Sequence, residues 1–313
     1  MPTLLDARAM AMAGRDQEAV QIIRQVAATG NADALFMLAE MTWRGGLVEQ
    51  DSHAARTLYQ AAKGHPQAEI YATNLMASGI AGPRDWPGAM RRLKAEAARD
   101  PRRRRVLDLI RAMSLTGDGD PQSVPEPRHL SAEPLALLFP GMATAAECQY
   151  LISIAEPGYA PSMVFNDQHQ LVHDPIRTSD GSTIHWLIED PAVHAINRRI
   201  AAAMGWAYDT GETLQSLRYA PGQQYRPHFD FVPGENQRLW TALLYLNDDY
   251  EGGETEFVRT GLKVKGQRGD VLVFRNATAD GEMDPLSEHA GLPVTKGAKY
   301  LATRWVREKR WIP

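Results

Sequence analysis

Tyr219-Ala220-Pro221-Gly222-Gln223-Gln224-Tyr225-Arg226-Pro227-His228-Phe229-Asp230 is the stretch on which the reading of this chain turns. It ends in a His-x-Asp pair. His289 and Lys299 follow downstream, the lysine ten positions past the histidine. Two imidazoles and one carboxylate grip a first-row metal on one face and leave neighbouring coordination positions open. That is the donor set of ferrous centres that activate O2 outside haem. On a β-strand His228 and Asp230 project to the same face, because side chains alternate with period two. His289 then has to arrive from a different strand. A basic residue a fixed distance past it can hold the far carboxylate of an acidic cosubstrate in the same pocket. The pair alone says little: with 9 His and 38 acidic residues in 313, about one His-x-Asp or His-x-Glu match arises by chance.

Length and composition set the frame. A chain of 313 residues holds two domains or one large β domain. Hydrophobic content of 44% and charge of 23% describe an ordinary globular protein with material for a sizeable core. A net charge of -4 gives no general pull toward nucleic acid. Cys148 is the only cysteine, so an intramolecular disulfide and a Cys-based zinc site are both excluded, which fits a reducing compartment. The first twenty residues carry Asp6, Arg8, Arg15, Asp16 and Glu18, without a long apolar run, and no stretch is long enough to span a membrane. The expected location is the cytoplasm.

Residues 1–115 are rich in Ala, Arg and Met at helical spacing and repeat themselves. Gly30, Ala34, Gly45, Asp51 and Ala55 recur 34 residues later as Gly64, Ala68, Gly79, Asp85 and Ala89. A period near 34 with small residues at fixed places signals paired helices stacked as a solenoid. Ala lets two helices approach closely, and Gly ends a helix. The pattern resembles the Sel-like branch of the tetratricopeptide superfamily over roughly residues 15–100. The resemblance implies a protein partner or self-association through the repeats; the plainer alternative is a helical cap. The run Arg102-Arg103-Arg104-Arg105 lies in a helical stretch beside Asp100 and Asp108. It reads as a solvated or ion-paired face rather than a nucleic-acid site. Residues 116–133, with Gly117, Gly119, Pro121, Pro125 and Pro127, read as a linker.

From residue 134 the texture changes to short apolar or alternating runs at 214–219, 240–246, 254–258, 270–274 and 298–306. Helices are expected at 145–154 and 190–204, and turn formers such as Pro221-Gly222 and Gly252-Gly253 separate the strands. The expected class is α+β: a helical repeat domain, then a β-sandwich or jelly roll, cupin-like, braced by helices.

The opening stretch is followed by Gln237-Arg238, by Thr241-Ala-Leu-Leu-Tyr245-Leu246-Asn247 and by Gly252-Gly253-Glu254-Thr255. Lys265-Gly-Gln-Arg268-Gly269-Asp270, His289-Ala-Gly-Leu-Pro293-Val294 and Gly297-Ala-Lys299 complete the series. As a whole it resembles the prolyl 4-hydroxylase branch of the Fe(II)/2-oxoglutarate dioxygenases over most of 134–313, and Arg177-Thr178-Ser179 falls where that family carries a similar motif. The resemblance implies a double-stranded β-helix and an enzyme that uses Fe(II), 2-oxoglutarate and O2, with ascorbate as a further cofactor. His228, Asp230 and His289 then hold the metal, and an unactivated C–H is hydroxylated while succinate and CO2 leave. Lys299 matches the lysine that takes the C5 carboxylate, and Thr255 a position that donates to it. Tyr219 and Tyr245 match tyrosines of the cosubstrate pocket.

Tyr225, Arg238 and Trp305 fall where that family contacts peptide. Arg307 occupies a position where some relatives place a histidine, and the stretch between Asp230 and Arg238 is short. The expected substrate is therefore a prolyl peptide or protein, with a free cyclic amino acid such as proline or pipecolic acid as the alternative, since an extra arginine suits a free carboxylate. A scaffold or sensor built on the repeats is the non-enzymatic alternative. Residues 162–187 read as a mobile flap over the site. His169, His173, His185 and His194 have spacings that fit no recognised ligand set as a group.

Overall fold

The computed structural model describes residues 2–165, 171–172 and 176–312. The chain forms two compact units: Met1–Arg111 together with Trp186–His194, and Ala112–His185 together with Ala195–Ile312.

The first unit is helical, and its repeat is set by caps. Asn31 opens Ala32–Arg44 by accepting from the Ala34 N–H, and 34 residues on His65 opens Pro66–Ser78 by accepting from Ala68. Asp51 caps Ser52–Ala61 and Asp85 caps Trp86–Ala97 in the same phase of the repeat. Each cap satisfies an N–H that the first helical turn leaves without a partner. Gly45 and Gly79 end their helices at φ 76°, a left-handed conformation that a side chain would strain. A Cβ on Gly79 would come within 2.9 Å of Arg84 Cβ. The recurring alanines Ala34, Ala55, Ala68 and Ala89 are fully buried, where a larger group would force the helices apart. The basic run divides between surface and interior. The exposed Arg102 pairs with the half-buried Asp100, whereas Arg103 turns inward and donates Nε to Glu96 Oε2 at 2.7 Å, both side chains buried. The Thr73 hydroxyl donates to the same carboxylate.

The second unit is built on two main antiparallel sheets, beside two two-stranded ribbons among the described residues. The larger runs, in order, Arg128–Ala132, Leu135–Phe139, Val271–Arg275, Arg238–Tyr245, Lys299–Arg307, Leu214–Tyr219, Asp180–Ile184 and Ala160–Pro161. The smaller runs Leu262–Val264, Thr255–Phe257, His289–Gly291 and Tyr225–His228. Their inner faces meet in one core, where Leu217, Leu243, Phe274 and Leu301 of the larger sheet pack with Phe257 and Val264 of the smaller. Phe257 meets Phe274 edge to face at 5.1 Å. This is a jelly roll, and Ala145–Ala155 and the part of Pro191–Met204 from Ala195 onward are helices of the same unit.

Three features depart from the sequence reading. Arg128–Ala132 is a strand that pairs with Leu135–Phe139, so the stretch read as a linker enters the sheet before it ends. Trp186–His194 belongs with the helical unit, where Asn74 Nδ2 donates to the Leu187 carbonyl at 2.8 Å. The strand that carries His228 stops at that residue, so Asp230 reaches the site from the loop beyond it rather than by alternation along a strand. That strand contains Pro227 and lies at an edge of the smaller sheet, where a missing N–H costs no ladder bond. Among the described residues, no helix is long and apolar enough to cross a membrane. His169, His173 and part of the expected flap lie outside the described residues. His194 is buried at 3.0 Å from Glu189, in the helical unit.

Candidate metal centre

The turn at Pro221-Gly222 brings the chain back toward the smaller sheet. Gly222 has φ 85°, and its N–H bonds the Val294 carbonyl at 2.8 Å. Tyr225–His228 then pairs antiparallel with His289–Gly291, in a register that sets His228 directly opposite His289. Cross-strand neighbours stand close enough for their side chains to share one ligand. The ligand atoms of His228, Asp230 and His289 all lie within 4.8 Å of one another, and among the described residues this is the cluster able to hold a metal ion. Asp230 Oδ1 is 3.7 Å from His228 Nε2, and its Oδ2 is 3.6 Å from His289 Nε2.

The surrounding groups fix which atoms are free to bind. His228 Nδ1 lies 2.8 Å from the Arg226 carbonyl, and His289 Nδ1 lies 2.9 Å from the Ser287 carbonyl. A carbonyl can only accept, so each Nδ1 carries the proton and each Nε2 keeps its lone pair. The Thr241 hydroxyl donates to Asp230 Oδ2 at 2.7 Å and itself accepts from Asn276 Nδ2 at 2.9 Å. Burial, then the proximity of His289, pushes the His228 imidazole down to about 3. Burial alone would raise Asp230, but His289, His228, Arg238 and the Thr241 hydroxyl outweigh it and hold the carboxyl at about 2. Neutral imidazole and ionised carboxylate are the forms that ligate a metal. Rings hold the ligands in place: Tyr225 stacks on His228 at 3.4 Å, and Phe274 meets His289 edge-on at 4.7 Å.

These groups line a cleft with about 400 Å³ of space, part of it open to solvent. Lys299 is in its wall, 3% exposed. The ammonium donates to the Gly253 carbonyl at 2.7 Å and lies 5.5 Å from the Tyr219 ring and 5.8 Å from the Tyr245 ring. Burial pulls its pKa down to about 8, with Glu254 opposing and Lys265 reinforcing. One carbonyl cannot satisfy three N–H donors and a buried positive charge, so the ammonium retains the capacity to donate to an anion. Thr255, buried beside it, presents a hydroxyl.

The remaining residues singled out in the sequence divide. Tyr219, Tyr225 and Trp305 line the cleft. Tyr245 is fully buried and absent from the lining; its hydroxyl sits 3.5 Å from the Thr255 hydroxyl and from the Val264 carbonyl, so it supports the wall from behind. Arg238 and Arg307 are also absent from the lining, because both are bound to Glu212. The sequence reading passed over Arg177 as a site residue, although it quoted the Arg177-Thr178-Ser179 motif. Its guanidinium lines the cleft 5.0 Å over the Tyr225 ring. Thr241 and Asn276 were missed too. The only trace of Thr241 is a polar residue in the apolar strand Arg238–Tyr245.

Comparison with known proteins bears on the same region. Residues 214–307 match the 2OG-Fe(II) oxygenase superfamily. Probable prolyl 4-hydroxylase 3 of Arabidopsis thaliana is 36% identical over 203 residues, covering 56% of this chain and 70% of the relative. Prolyl 4-hydroxylase 1 of the same plant is 35% identical over 205 residues, covering 59% and 72%. Among solved structures, a viral collagen prolyl hydroxylase from Paramecium Bursaria Chlorella virus-1, in complex with 2OG, aligns with TM-score 0.43 at 27% identity, over 55% of this chain and 95% of that one.

Proposed function

This chain belongs to the 2-oxoglutarate- and Fe(II)-dependent oxygenase family that includes the plant prolyl 4-hydroxylases, and we propose that it hydroxylates a proline-like ring, most simply a prolyl residue of a peptide or protein. It is a dioxygenase that uses Fe(II), 2-oxoglutarate and O2. The observation that carries the hydroxylase reading is the convergence of three ligand atoms within 4.8 Å of one another with a buried ammonium in the wall of the same cleft, and the identity to plant prolyl 4-hydroxylases supports the proline-like ring.

In this reading His228 Nε2, His289 Nε2 and Asp230 hold the iron. When bound, the iron supplies O2 activation and C–H oxidation, with the 2-oxo acid converted to succinate and CO2. The protein's part is placement. Lys299 takes the C5 carboxylate of 2-oxoglutarate and the Thr255 hydroxyl donates to the same group, in a pocket dry enough to make the charge pair strong. Tyr219 flanks the cosubstrate, and Tyr245 sets the rotamers of Thr255 and Lys299. Tyr225 and Trp305 form the apolar walls for the ring. Arg238 and Arg307 keep the substrate end of the cleft positive. Ascorbate serves as reductant for the centre between turnovers. Residues 1–115 form a Sel-like repeat domain that recruits a protein partner or a second copy, ahead of the oxygenase domain, and the enzyme works in the cytoplasm.

The test is succinate release from 2-oxoglutarate by the Fe(II)-loaded chain, with mass spectrometry for a +16 Da product on prolyl peptides. Succinate formation in the wild type and its loss in His228→Ala are expected. Equal succinate formation by the two proteins would refute the assignment of the centre.

A further inference from the structure

Asn276 is buried with half of its amide unused. Its Nδ2 donates to Thr241 Oγ1 at 2.9 Å, while Oδ1 has no hydrogen-bond partner among the described residues. A buried carbonyl oxygen without a donor weakens a fold, and a leucine of nearly the same shape would not carry that cost. Packing therefore does not explain an amide at this position. Exceptions of this kind gather at functional sites. The donating half is what the amide adds over a leucine.

The sheet register places that half. Phe274 lies opposite Thr241 on the neighbouring strand, and its ring meets His289 edge-on at 4.7 Å. Two residues on, the Asn276 amide reaches the same Thr241. The main chain of Asn276 is held at both ends. Its N–H bonds the Leu239 carbonyl at 2.8 Å, and its carbonyl accepts from the Asp284 N–H at 3.0 Å. The Asp284 carbonyl accepts the Ser287 hydroxyl at 2.7 Å, and the Ser287 carbonyl faces His289 Nδ1 at 2.9 Å. The turn that delivers His289 thus hangs on the residue that reaches toward Asp230. Thr241 Oγ1 carries one proton. An amide N–H can only donate, so Asn276 occupies a lone pair of Oγ1 and leaves the proton for Asp230 Oδ2, 2.7 Å away. Thr241 is fully buried, so bulk water does not compete for that proton. Asp230 Oδ2 is thereby tied to the protein, and Oδ1 is left toward His228 Nε2, 3.7 Å away.

We infer that Asn276 is a positioning residue of the metal centre: by donating to Thr241 it fixes the hydroxyl that holds Asp230 Oδ2, and so sets which carboxylate oxygen is offered to the ion. It touches neither metal nor substrate and acts through Thr241. This rests on the reading of His228, Asp230 and His289 as the ferrous site. Hydrogen bonds in such a chain strengthen one another, so the contributions of Asn276 and Thr241 to metal binding do not add.

A double-mutant cycle on the full chain tests this: Asn276→Leu, Thr241→Val, and both together. The probe is Co(II), which such donors bind more tightly than Fe(II). Chelator competition gives the Co(II) affinity, the visible absorption of bound Co(II) reports its ligand geometry, and urea unfolding of the metal-free chain reports the fold. Asn276→Leu should lower Co(II) affinity roughly 3–10-fold, the worth of one hydrogen bond. It should also alter the visible spectrum, while the metal-free unfolding midpoint stays level or rises. In the Thr241→Val background the same change should cost less than ~2-fold. An unchanged affinity and spectrum in folded Asn276→Leu overturn the inference. So do losses that multiply in the double variant, since Asn276 would then act on the fold and not through Thr241. Should Asn276→Leu not fold, Asn276→Ala carries the same cycle, with the same two refuting results. His228→Ala separates this inference from the reading beneath it. Loss of Co(II) binding there, with Asn276→Leu unchanged, removes the inference and leaves the metal centre standing. Co(II) bound equally tightly by the wild type and His228→Ala removes both.

Discussion

Replacing Lys299 by methionine removes one charge and keeps an unbranched apolar stem, so it isolates what the ammonium does. The side chain is 3% exposed and its ammonium donates to the Gly253 carbonyl at 2.7 Å. Solvent screening at such a site is slight. Truncating one partner of a buried, hydrogen-bonded charge pair costs roughly 2–5 kcal/mol. At about 1.4 kcal/mol per tenfold, the KM for 2-oxoglutarate should rise by about 30-fold or more. Iron affinity should change little, because Lys299 is not among the three ligand groups. The assay is succinate formation against 2-oxoglutarate concentration, with Fe(II) affinity measured separately by chelator competition. A KM shift below ~3-fold, or equal losses of both affinities, would refute the role given to Lys299. The same group sets a pH dependence. Its pKa in the folded protein is about 8 against an ordinary value of 10.5, lowered chiefly by burial. The charged form must therefore be regained for the dicarboxylate to bind, and affinity for 2-oxoglutarate should fall as pH rises through about 8. The stability contribution has the opposite sign. Between about 8 and 10.5 the unfolded chain binds more protons at this lysine than the folded one, so the ligand-free protein gains stability from this group as pH rises across that window. In Lys299→Met both trends should vanish.

Other perturbations report on other parts of the fold. Asp230→Ala should abolish iron-dependent succinate formation, and retained turnover would remove Asp230 from the ligand set. Thr241→Val deletes the hydroxyl that donates to Asp230 Oδ2 at 2.7 Å. Loss of such an outer partner should weaken Fe(II) binding by about 10–100-fold in a chelator competition, and an unchanged affinity would show that the carboxylate needs no help from it. In the helical unit, Arg103→Ala strands the buried Glu96 carboxylate, which keeps the Thr73 hydroxyl as its donor among the described residues. Breaking a buried pair in this way costs about 3–5 kcal/mol. Denaturant unfolding followed by far-UV circular dichroism should register it, and a loss under ~1 kcal/mol would mean that water reaches Glu96.

What the sequence makes legible depends on whether a residue's role is local. The helical repeat is readable because its signals are short-range: a cap bonds a backbone N–H three residues on, as Asp51 does with Ala54 and Asp85 with Gly88, and a glycine ends its own helix. The strands 214–219 and 298–306 are readable from apolar patterning, and the second begins within one residue of its observed start at Lys299. The metal cluster is readable only because two of its members lie two positions apart. His289 joins them through a cross-strand register that no local pattern encodes. Arg238 and Arg307 show where such reading stops. Arg238 stands at a position that a resemblance marks for substrate contact and Arg307 where some relatives place a histidine, yet nothing near either in sequence reveals Glu212, which lies on a distant segment and takes donors from both. A charge's partner decides whether it is free to bind a ligand, and that partner is a property of the tertiary structure. The same logic applies to Lys299 in reverse. Its local sequence, Gly-Ala-Lys-Tyr, reads as an ordinary strand start, and only the enclosing Gly253 carbonyl and the Tyr219 and Tyr245 rings reveal an ammonium that a single neutral acceptor leaves unsatisfied.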